Sequence, residues 1–283
     1  MRRLGVHTSI SGGLHLSLER ARALGCTTMQ IFSHNPRGWA VREIPLEAAA
    51  QFISLRMQYD ISPVFIHASY LINLATPDPV LQQKSVALLI EEMNRADAIR
   101  AEYVVLHAGS SSGDDPSIAR KRAVRALDMV AQQGKWKARL LIENTAGERG
   151  DISSLMSELS EIAGGVQNSL VGGVCIDTAH AFAAGYNIRT ARGRETLRDE
   201  ILRHLGKPFV KLIHLNDSKR HFGSHADRHE HIGCGIIGSA GLRQFITDPH
   251  FSDIPLILET PKSNDSDDIR NLRKVRMMLT RER

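Results

Sequence analysis

Short apolar runs recur along the chain, and each of them is followed by a polar residue. Continuous apolar runs rich in valine and isoleucine are typical of parallel strands buried on both faces. The six clearest runs are residues 64–66, 104–106, 140–142, 174–176, 212–213 and 256–258, which are followed by His67, His107, Glu143, Asp177, His214 and Glu259. Two weaker runs, 4–6 and 29–32, bring the predicted strands to eight.

Helical patterns lie between these runs. In residues 14–24 apolar side chains recur three and four positions apart, and Gly25 follows as an expected C-cap. The same periodicity predicts helices over 80–99, 116–130, 151–162, 191–205 and 266–279. Successive polar strand ends (67, 107, 143, 177, 214 and 259) are 34 to 45 residues apart. That spacing accommodates one strand, one loop and one helix.

Eight such units predict an α/β fold, a single (β/α)₈ TIM barrel that occupies residues 1–283 as one domain. An open doubly wound sheet also alternates strands and helices. We favour the barrel because eight units fit it and no dinucleotide-binding fingerprint follows the first strand. The active site of such a barrel lies at the C-terminal face of its strands. The longest irregular segment, 216–238, is a candidate functional loop at that face.

Composition narrows the functional classes. The chain has 283 residues, of which 42% are hydrophobic and 24% charged, as in an ordinary globular protein. Its three cysteines (Cys26, Cys175 and Cys234) are far apart, which excludes a disulfide scaffold and a cysteine-rich zinc finger and suits a cytoplasmic protein. No apolar run reaches about 18 residues, so we expect no membrane span and no signal peptide. The net charge of +5 is compatible with a polyanionic partner but equally with a mixed solvated surface.

The polar strand ends are candidate metal ligands. In a barrel they converge on one circle, and crowded imidazoles and carboxylates are costly to bury unless cations neutralise them. Two further motifs add ligands, because His180 follows Asp177 by three residues and Asp227 precedes His229 by two. Nine candidates exceed the needs of one ion, and nitrogen and oxygen donors without thiolates suit zinc or manganese. The nine are His67, His107, Glu143, Asp177, His180, His214, Asp227, His229 and Glu259.

Two glycine-containing motifs have simpler explanations than catalysis. Residues 233–238 match G-x-G-x-x-G but follow a histidine-rich loop instead of a strand, so a dinucleotide site lacks its structural context. We expect a tight turn into a short helix whose N-terminus could hold an anion. Residues 109–113 match G-x-S-x-G, but a serine-rich loop explains this match better than a nucleophile elbow.

With these residues in view, the chain resembles the endonuclease IV family of abasic-site (apurinic/apyrimidinic) DNA repair nucleases over nearly its whole length. The most specific matches are V-C-I-D-T-A-H at 174–180, I-E-N-T-A-G at 142–147 and S-Y-L-I-N-L at 69–74 after His67, together with H-L-N-D-S-K at 214–219, which continues to D-R-H at 227–229 and G-C-G at 233–235. The resemblance implies a TIM barrel that binds three divalent ions, usually zinc. It implies one ion held by His67, His107 and Glu143, a second shared by Glu143 with Asp177, His214 and Glu259, and a third held by His180, Asp227 and His229.

The resemblance also implies the reaction and the partner. It implies hydrolysis 5′ to an abasic nucleotide in duplex DNA, which leaves a 3′-hydroxyl and a 5′ deoxyribose phosphate, and trimming of blocked 3′ ends. Glu259 and, second, Glu143 are the carboxylates expected to accept the proton of the attacking water. The residues expected to contact DNA are Asn35, Arg37, Tyr70, Leu71, Lys219 and Arg228. For Arg228 the alternative is an ion pair with a ligand carboxylate. We expect a monomer without a nucleotide cofactor.

Two other functions remain open at this point. A divalent-metal sugar isomerase has the same barrel and the same kinds of donor, but its site is typically binuclear and leaves the His180, Asp227 and His229 group without a role. A non-catalytic DNA-end binder is the second alternative, and the intact ligand set argues against it. Metal stoichiometry and a chelator-sensitive nicking assay separate the three.

Overall fold

The computed structural model describes residues 2–167, 169–264 and 266–280. Its main sheet has eight parallel strands. They are β1 (Leu4–Val6), β2 (Met29–Ile31), β3 (Val64–His67), β4 (Tyr103–Leu106), β5 (Arg139–Glu143), β6 (Val171–Asp177), β7 (Val210–His214) and β10 (Leu256–Leu258). Each strand is hydrogen-bonded to its neighbour in the order β1-β10-β7-β6-β5-β4-β3-β2. A parallel bridge between His7 and Gln30 joins the first strand to the second and closes the barrel.

A small antiparallel hairpin interrupts the long loop between β7 and β10. It pairs β8 (Asp217–Ser218) with β9 (His229–Glu230), with Ser218 opposite His229. The sequence predicted an irregular loop over this whole segment. The hairpin has only two residues on each strand, too few to produce a strand pattern in the sequence.

The helices surround the barrel. They are α1 (Leu14–Ala23), α2 (Leu46–Gln58), α3 (Pro79–Ala98), α4 (Pro116–Ala131), α5 (Met156–Gly165), α6 (Thr178–Ala184), α7 (Ala191–His204), α8 (Gly238–Ile246) and α9 (Ser266–Thr280), with a 3₁₀ turn at Lys207–Phe209. Helices α3 and α4 both begin with an aspartate N-cap that is followed by proline. The Asp78 carboxylate accepts the backbone N–H groups of Val80 and Leu81. In the described part of the chain, no helix is long and apolar enough to cross a membrane.

The helix predictions hold at most boundaries and fail at one. The helix predicted over 151–162 begins at Met156, five residues later. Residues before it form a loop because the Glu158 carboxylate accepts the N–H groups of Ser154 and Leu155. The short helix expected after the glycine-rich turn is α8. Helices α2 and α6 were not predicted.

Strand periodicity positions the polar strand ends. The barrel interior is filled by a compact cluster of apolar side chains: Phe65, Val105, Leu141, Cys175, Leu212 and Ile257. Each lies two residues before one of the six polar strand ends. Side chains at positions i and i+2 of a strand point to the same face. The polar ends therefore form the next layer of the interior, at the C-terminal mouth, above an apolar floor.

Candidate metal centre

The first group at the mouth joins three strands. His67 Nε2 lies 3.4 Å and His107 Nε2 3.1 Å from Glu143 Oε2. Glu143 is completely buried. The ligand atoms of these three side chains lie within 4.8 Å of one another, close enough to hold one metal ion.

The second group shares Glu143 with the first. His214 Nδ1 lies 2.7 Å from Glu143 Oε1 and 3.2 Å from Glu259 Oε2. With Asp177, these side chains form a compact group of three carboxylates and one imidazole. Glu143 thus has one oxygen directed at each group, which is the geometry of a bridging carboxylate.

The third group is built from α6 and the β8–β9 hairpin. Its side chains converge because the Asp177 carboxylate caps α6 by accepting the His180 N–H at 2.7 Å, which brings His180 over the mouth. His180 Nε2 lies 3.2 Å from Asp227 Oδ2, and His229 Nε2 lies 3.2 Å from Asp227 Oδ1. Asp177 Oδ2 is 3.6 Å from His229 Nε2. Asp177 therefore connects the second and third groups, as Glu143 connects the first and second.

Backbone carbonyls orient three of the imidazoles. The Nδ1 atoms of His67, His180 and His229 lie 2.8, 2.8 and 3.1 Å from the carbonyl oxygens of Ala68, Asn144 and Glu259. A ring whose Nδ1–H donates to a carbonyl presents the lone pair of Nε2 to the mouth. This is the arrangement by which proteins fix the tautomer of metal-binding histidines.

His214 has the opposite orientation, and Gln30 is the cause. The His214 Nε2 donates to the Gln30 side-chain oxygen at 2.8 Å, so that Nδ1 faces Glu143 and Glu259. The amide nitrogen of Gln30 in turn donates to Glu259 Oε1 at 2.6 Å. Sequence reasoning missed Gln30. Its only sequence signal is one polar residue within the apolar run of the second strand.

Several polar atoms that face the mouth are buried without a well-directed hydrogen bond, although each lies 3.1 or 3.2 Å from an atom of a neighbouring ionisable side chain. They are His107 Nε2, His180 Nε2, His229 Nε2 and Glu143 Oε2. Buried polar atoms in proteins nearly always have a partner, and exceptions often mark the position of an ion or a water molecule. Three imidazole lone pairs and one carboxylate oxygen directed into a common space fit divalent cations with nitrogen and oxygen ligands.

The charges at the mouth favour positive occupants. Burial lowers the pKa of His67, but the Glu143 and Glu259 carboxylates outweigh it and raise the pKa to about 9. Burial raises the pKa of Glu143, but the neighbouring His214 and His107 outweigh it and hold the pKa well below its usual value. Glu143 thus stays ionised and attracts positive charge, which protons or metal ions can provide.

Cys175 lies beside the second group, a position that its sequence context did not predict. Its sulfur, with Glu143 and His214, forms a compact group. Burial raises the pKa of the thiol well above its usual value, and the Glu143 and Asp177 carboxylates add to the shift. The thiol of Cys175 is therefore neutral. Because the thiolate is the form that binds metal, we count Cys175 as part of the apolar floor and not as a metal ligand.

Comparison with known proteins identifies the family. A family model described as a xylose isomerase-like TIM barrel matches residues 18–280. Probable endonuclease 4 of Halothermothrix orenii is 41% identical, covering 94% of this chain and 95% of its own. Probable endonuclease 4 of Persephonella marina is 39% identical, covering 99% of this chain and 98% of its own. The chain belongs to the endonuclease IV family. The crystal structure of endonuclease IV from Thermus thermophilus matches with a TM-score of 0.87 at 36% identity, covering 99% of this chain and 100% of that chain.

A second solved structure is similar in fold alone. A D-tagatose 3-epimerase-like protein matches with a TM-score of 0.74, but at 17% identity, covering 98% of this chain and 97% of that chain. At this identity the match shows that the two chains have the same barrel fold and nothing about a common activity.

The mouth of this endonuclease IV family barrel opens into a cavity of about 850 Å³. Its lining includes the candidate ligands His67, His107, His180, Asp227, His229 and Glu259. Of the residues expected to contact DNA, Asn35, Tyr70 and Arg228 also line it. Tyr70 is 64% exposed although it is aromatic. Arg37, Leu71 and Lys219 are not among the lining residues that the structure describes.

Two of the expected phosphate contacts have acidic neighbours. Lys219 Nζ lies 3.8 Å from Glu230 Oε2, and Arg228 Nη1 lies 4.0 Å from Glu148 Oε1. Both basic side chains are exposed. Exposed ion pairs at these distances are weak, so neither pairing prevents Lys219 or Arg228 from meeting a phosphate.

Proposed function

We propose that this chain is a divalent-metal-dependent endonuclease that hydrolyses the phosphodiester 5′ to abasic sites in duplex DNA. The products are a 3′-hydroxyl and a 5′ deoxyribose phosphate, and the same site trims blocked 3′ ends. The observation that carries the proposal is the chain of three connected ligand groups, in which four buried nitrogen and oxygen atoms lack a well-directed hydrogen bond, in a family member with an open cavity above them.

The metal ligands follow from the three groups. We assign His67, His107 and Glu143 to a first ion, Glu143, Asp177, His214 and Glu259 to a second, and His180, Asp227 and His229 to a third. Zinc is the favoured metal because the donors are imidazoles and carboxylates with open positions, and manganese satisfies the same donors.

The chemistry divides between the cations and the two glutamates. When bound, divalent cations neutralise the phosphate, stabilise the leaving oxygen and make a water molecule more acidic. Glu259 is 17% exposed at its side chain and lines the cavity, so it is positioned to accept the proton of the attacking water. Glu143 is completely buried between the first two groups. We therefore assign it a bridging role first and proton transfer second.

Gln30 supports this division of roles. By donating to Glu259 Oε1 it leaves Oε2 directed at His214 and fixes the carboxylate at the mouth. A carboxylate held in one orientation loses no free energy in reorienting when it accepts a proton.

Selection of abasic DNA rests on the cost of removing a nucleotide from the duplex. A nucleotide without a base has no stacking to lose, so it enters a cavity more readily than an intact one. We propose that Arg37, Tyr70 and Leu71 enter the duplex and fill the gap that remains. Asn35, Lys219 and Arg228 are proposed to contact the DNA backbone. We propose that the active species is a monomer that uses no nucleotide cofactor.

The test is cleavage of a 5′-labelled duplex that contains one abasic site. We expect a single nick 5′ to the site, a product end that a DNA polymerase extends, and loss of nicking in a chelator. An intact duplex of the same sequence is the control. Elemental analysis should give three metal ions per chain, whereas a binuclear sugar isomerase would contain two. A metal-loaded chain that leaves the abasic duplex uncut would reject the proposal.

A further inference from the structure

Glu92, on α3, is a buried carboxylate that belongs to none of the three ligand groups. Its side chain is almost fully buried, at 1% exposure. Oε2 accepts the Ser33 hydroxyl at 2.7 Å, and Oε1 accepts the backbone N–H of Ser69 at 3.1 Å. The imidazole Nε2 of His34 lies 2.9 Å from Oε1. All three partners come from the loops that follow β2 and β3, and none comes from a strand.

A second residue of α3 also binds the loop that follows β2. Arg95, one turn after Glu92, donates from Nε to the Ser33 hydroxyl at 2.9 Å and also binds the carbonyl of Ser33. Ser33 is therefore fixed through both its side chain and its backbone. His34 is directed at Glu92, and only 7% of its side chain is exposed.

The two loops are also connected to each other. The Ser69 hydroxyl donates to the carbonyl of Pro36 at 2.7 Å and accepts the N–H of Leu71 at 3.2 Å. The ring of Tyr70 packs edge-on against Phe32 with centroids 5.2 Å apart. Arg37 directly follows Pro36, so Arg37, Tyr70 and Leu71 are carried by one bonded unit.

We propose that Glu92 is a positioning residue that holds these two loops in the register required to recognise an abasic site. The inference rests on the proposed function, because it assigns the DNA contacts to Arg37, Tyr70 and Leu71. A buried carboxylate is costly unless donors surround it, and here the donors are loop atoms. Loops that are already ordered lose less entropy when DNA binds, so the affinity gained is specific to contacts made by those loops.

The test compares Glu92→Gln with Glu91→Gln, a matched control on the same helix whose side chain is exposed. Affinity is measured on the metal-loaded chain by fluorescence anisotropy, with abasic and intact duplexes in which the cleavable linkage is non-hydrolysable. We expect Glu92→Gln to weaken binding of the abasic duplex about tenfold and the intact duplex by less than about twofold, and Glu91→Gln to change neither. In nicking assays KM should rise about tenfold at unchanged kcat, with metal content unchanged.

A double-mutant cycle with Arg37→Ala tests whether Glu92 acts through the loops. In the Arg37→Ala background, Glu92→Gln should weaken binding of the abasic duplex by clearly less than tenfold, because the part of its effect that passes through Arg37 is already lost while the parts that pass through Tyr70 and Leu71 remain. Equal weakening of binding to both duplexes, full additivity with Arg37→Ala, or loss of metal would each overturn the proposal.

A second variant covers the case in which Glu92→Gln fails to fold. His34→Gln removes one partner of the same carboxylate and is measured in the same way. Failure of the inference can be told apart from failure of the proposed function. If the parent chain does not nick abasic DNA, the proposed function is rejected. If a folded Glu92 variant still distinguishes abasic from intact duplex as well as the parent chain does, only the inference about Glu92 is rejected.

Discussion

The carboxylate of Asp217 lies inside the glycine-rich turn at Gly235, with Oδ2 3.0 Å from the Gly235 backbone nitrogen. The N–H groups of Ile237 and Gly238 also point at this carboxylate. A Cβ atom at Gly235 would lie 2.5 Å from Asp217 Oδ1, so the turn can close only around glycine. The G-x-G-x-x-G segment therefore forms a cradle of backbone N–H groups that binds an anion of the chain itself, the Asp217 carboxylate. The sequence predicted the turn, the short helix and an anion, but could not identify the anion.

Removing this carboxylate should destabilise the fold. Asp217→Ala leaves buried backbone N–H groups without their charged acceptor, and each such bond contributes roughly 1.5–3 kcal/mol. We expect the free energy of unfolding to fall by about 3 kcal/mol in urea titrations. Asp199→Ala is the control, because that carboxylate is exposed and pairs with Arg198 at the surface. Equal urea midpoints for the two variants would contradict the role of the cradle.

Gln30 offers a prediction about metal affinity. Gln30→Leu removes the acceptor that fixes the His214 ring and the donor that fixes Glu259. Loss of such an outer hydrogen bond weakens metal binding by about 10- to 100-fold, and we expect a loss of that size for zinc in competition with a chromogenic chelator. Gln51→Leu, at an exposed position of α2, should bind zinc like the parent chain. If both variants retain full affinity, the ring of His214 does not need Gln30.

Glu143 should be the least replaceable carboxylate. Glu143→Gln removes a negative charge that two ligand groups share. The amide that replaces it binds divalent cations weakly. We expect fewer than three metal ions per chain by elemental analysis and a loss of nicking of at least about 100-fold, with the far-UV circular dichroism unchanged. Glu161→Gln, which changes an exposed carboxylate on α5 that pairs with Arg120 away from the mouth, is the control. Three bound ions in Glu143→Gln would reject the bridging role.

The sequence was sufficient where local patterns determine structure. Alternation along each strand puts Phe65 and His67, or Leu141 and Glu143, on the same inner face, so the eight strands and the convergence of the six polar ends follow from spacing alone. Helix α5 began later than predicted because a side chain, Glu158, caps it from inside the helix. Such a bond leaves no trace in the hydrophobic pattern.

The remaining features depend on contacts between distant parts of the chain. Gln30 meets His214 across the barrel mouth, 184 positions away along the chain, and Glu92 meets His34 across 58 positions. Composition and periodicity give no information about such pairs. A single polar residue in a strand or one glutamate among several on a helix becomes informative only when the fold shows what it faces.

Thiol reactivity tests the packing of the barrel independently of metal and DNA. Cys26 and Cys175 are buried, and Cys234 is exposed. Burial raises the pKa of Cys26 to about 11, so at pH 8 only about one molecule in a thousand has the reactive thiolate there. We expect one thiol to react rapidly with Ellman's reagent in the folded chain and all three after unfolding in guanidinium. Because a raised pKa delays ionisation, the slow reaction of Cys26 should accelerate as pH rises towards 11, provided the fold persists.

The control is a variant without the exposed thiol: Cys234→Ser should remove the rapid phase and leave the slow one. A rapid phase that survives this substitution would mean that the reagent reaches Cys26 or Cys175 in the folded chain, in conflict with the burial of both thiols.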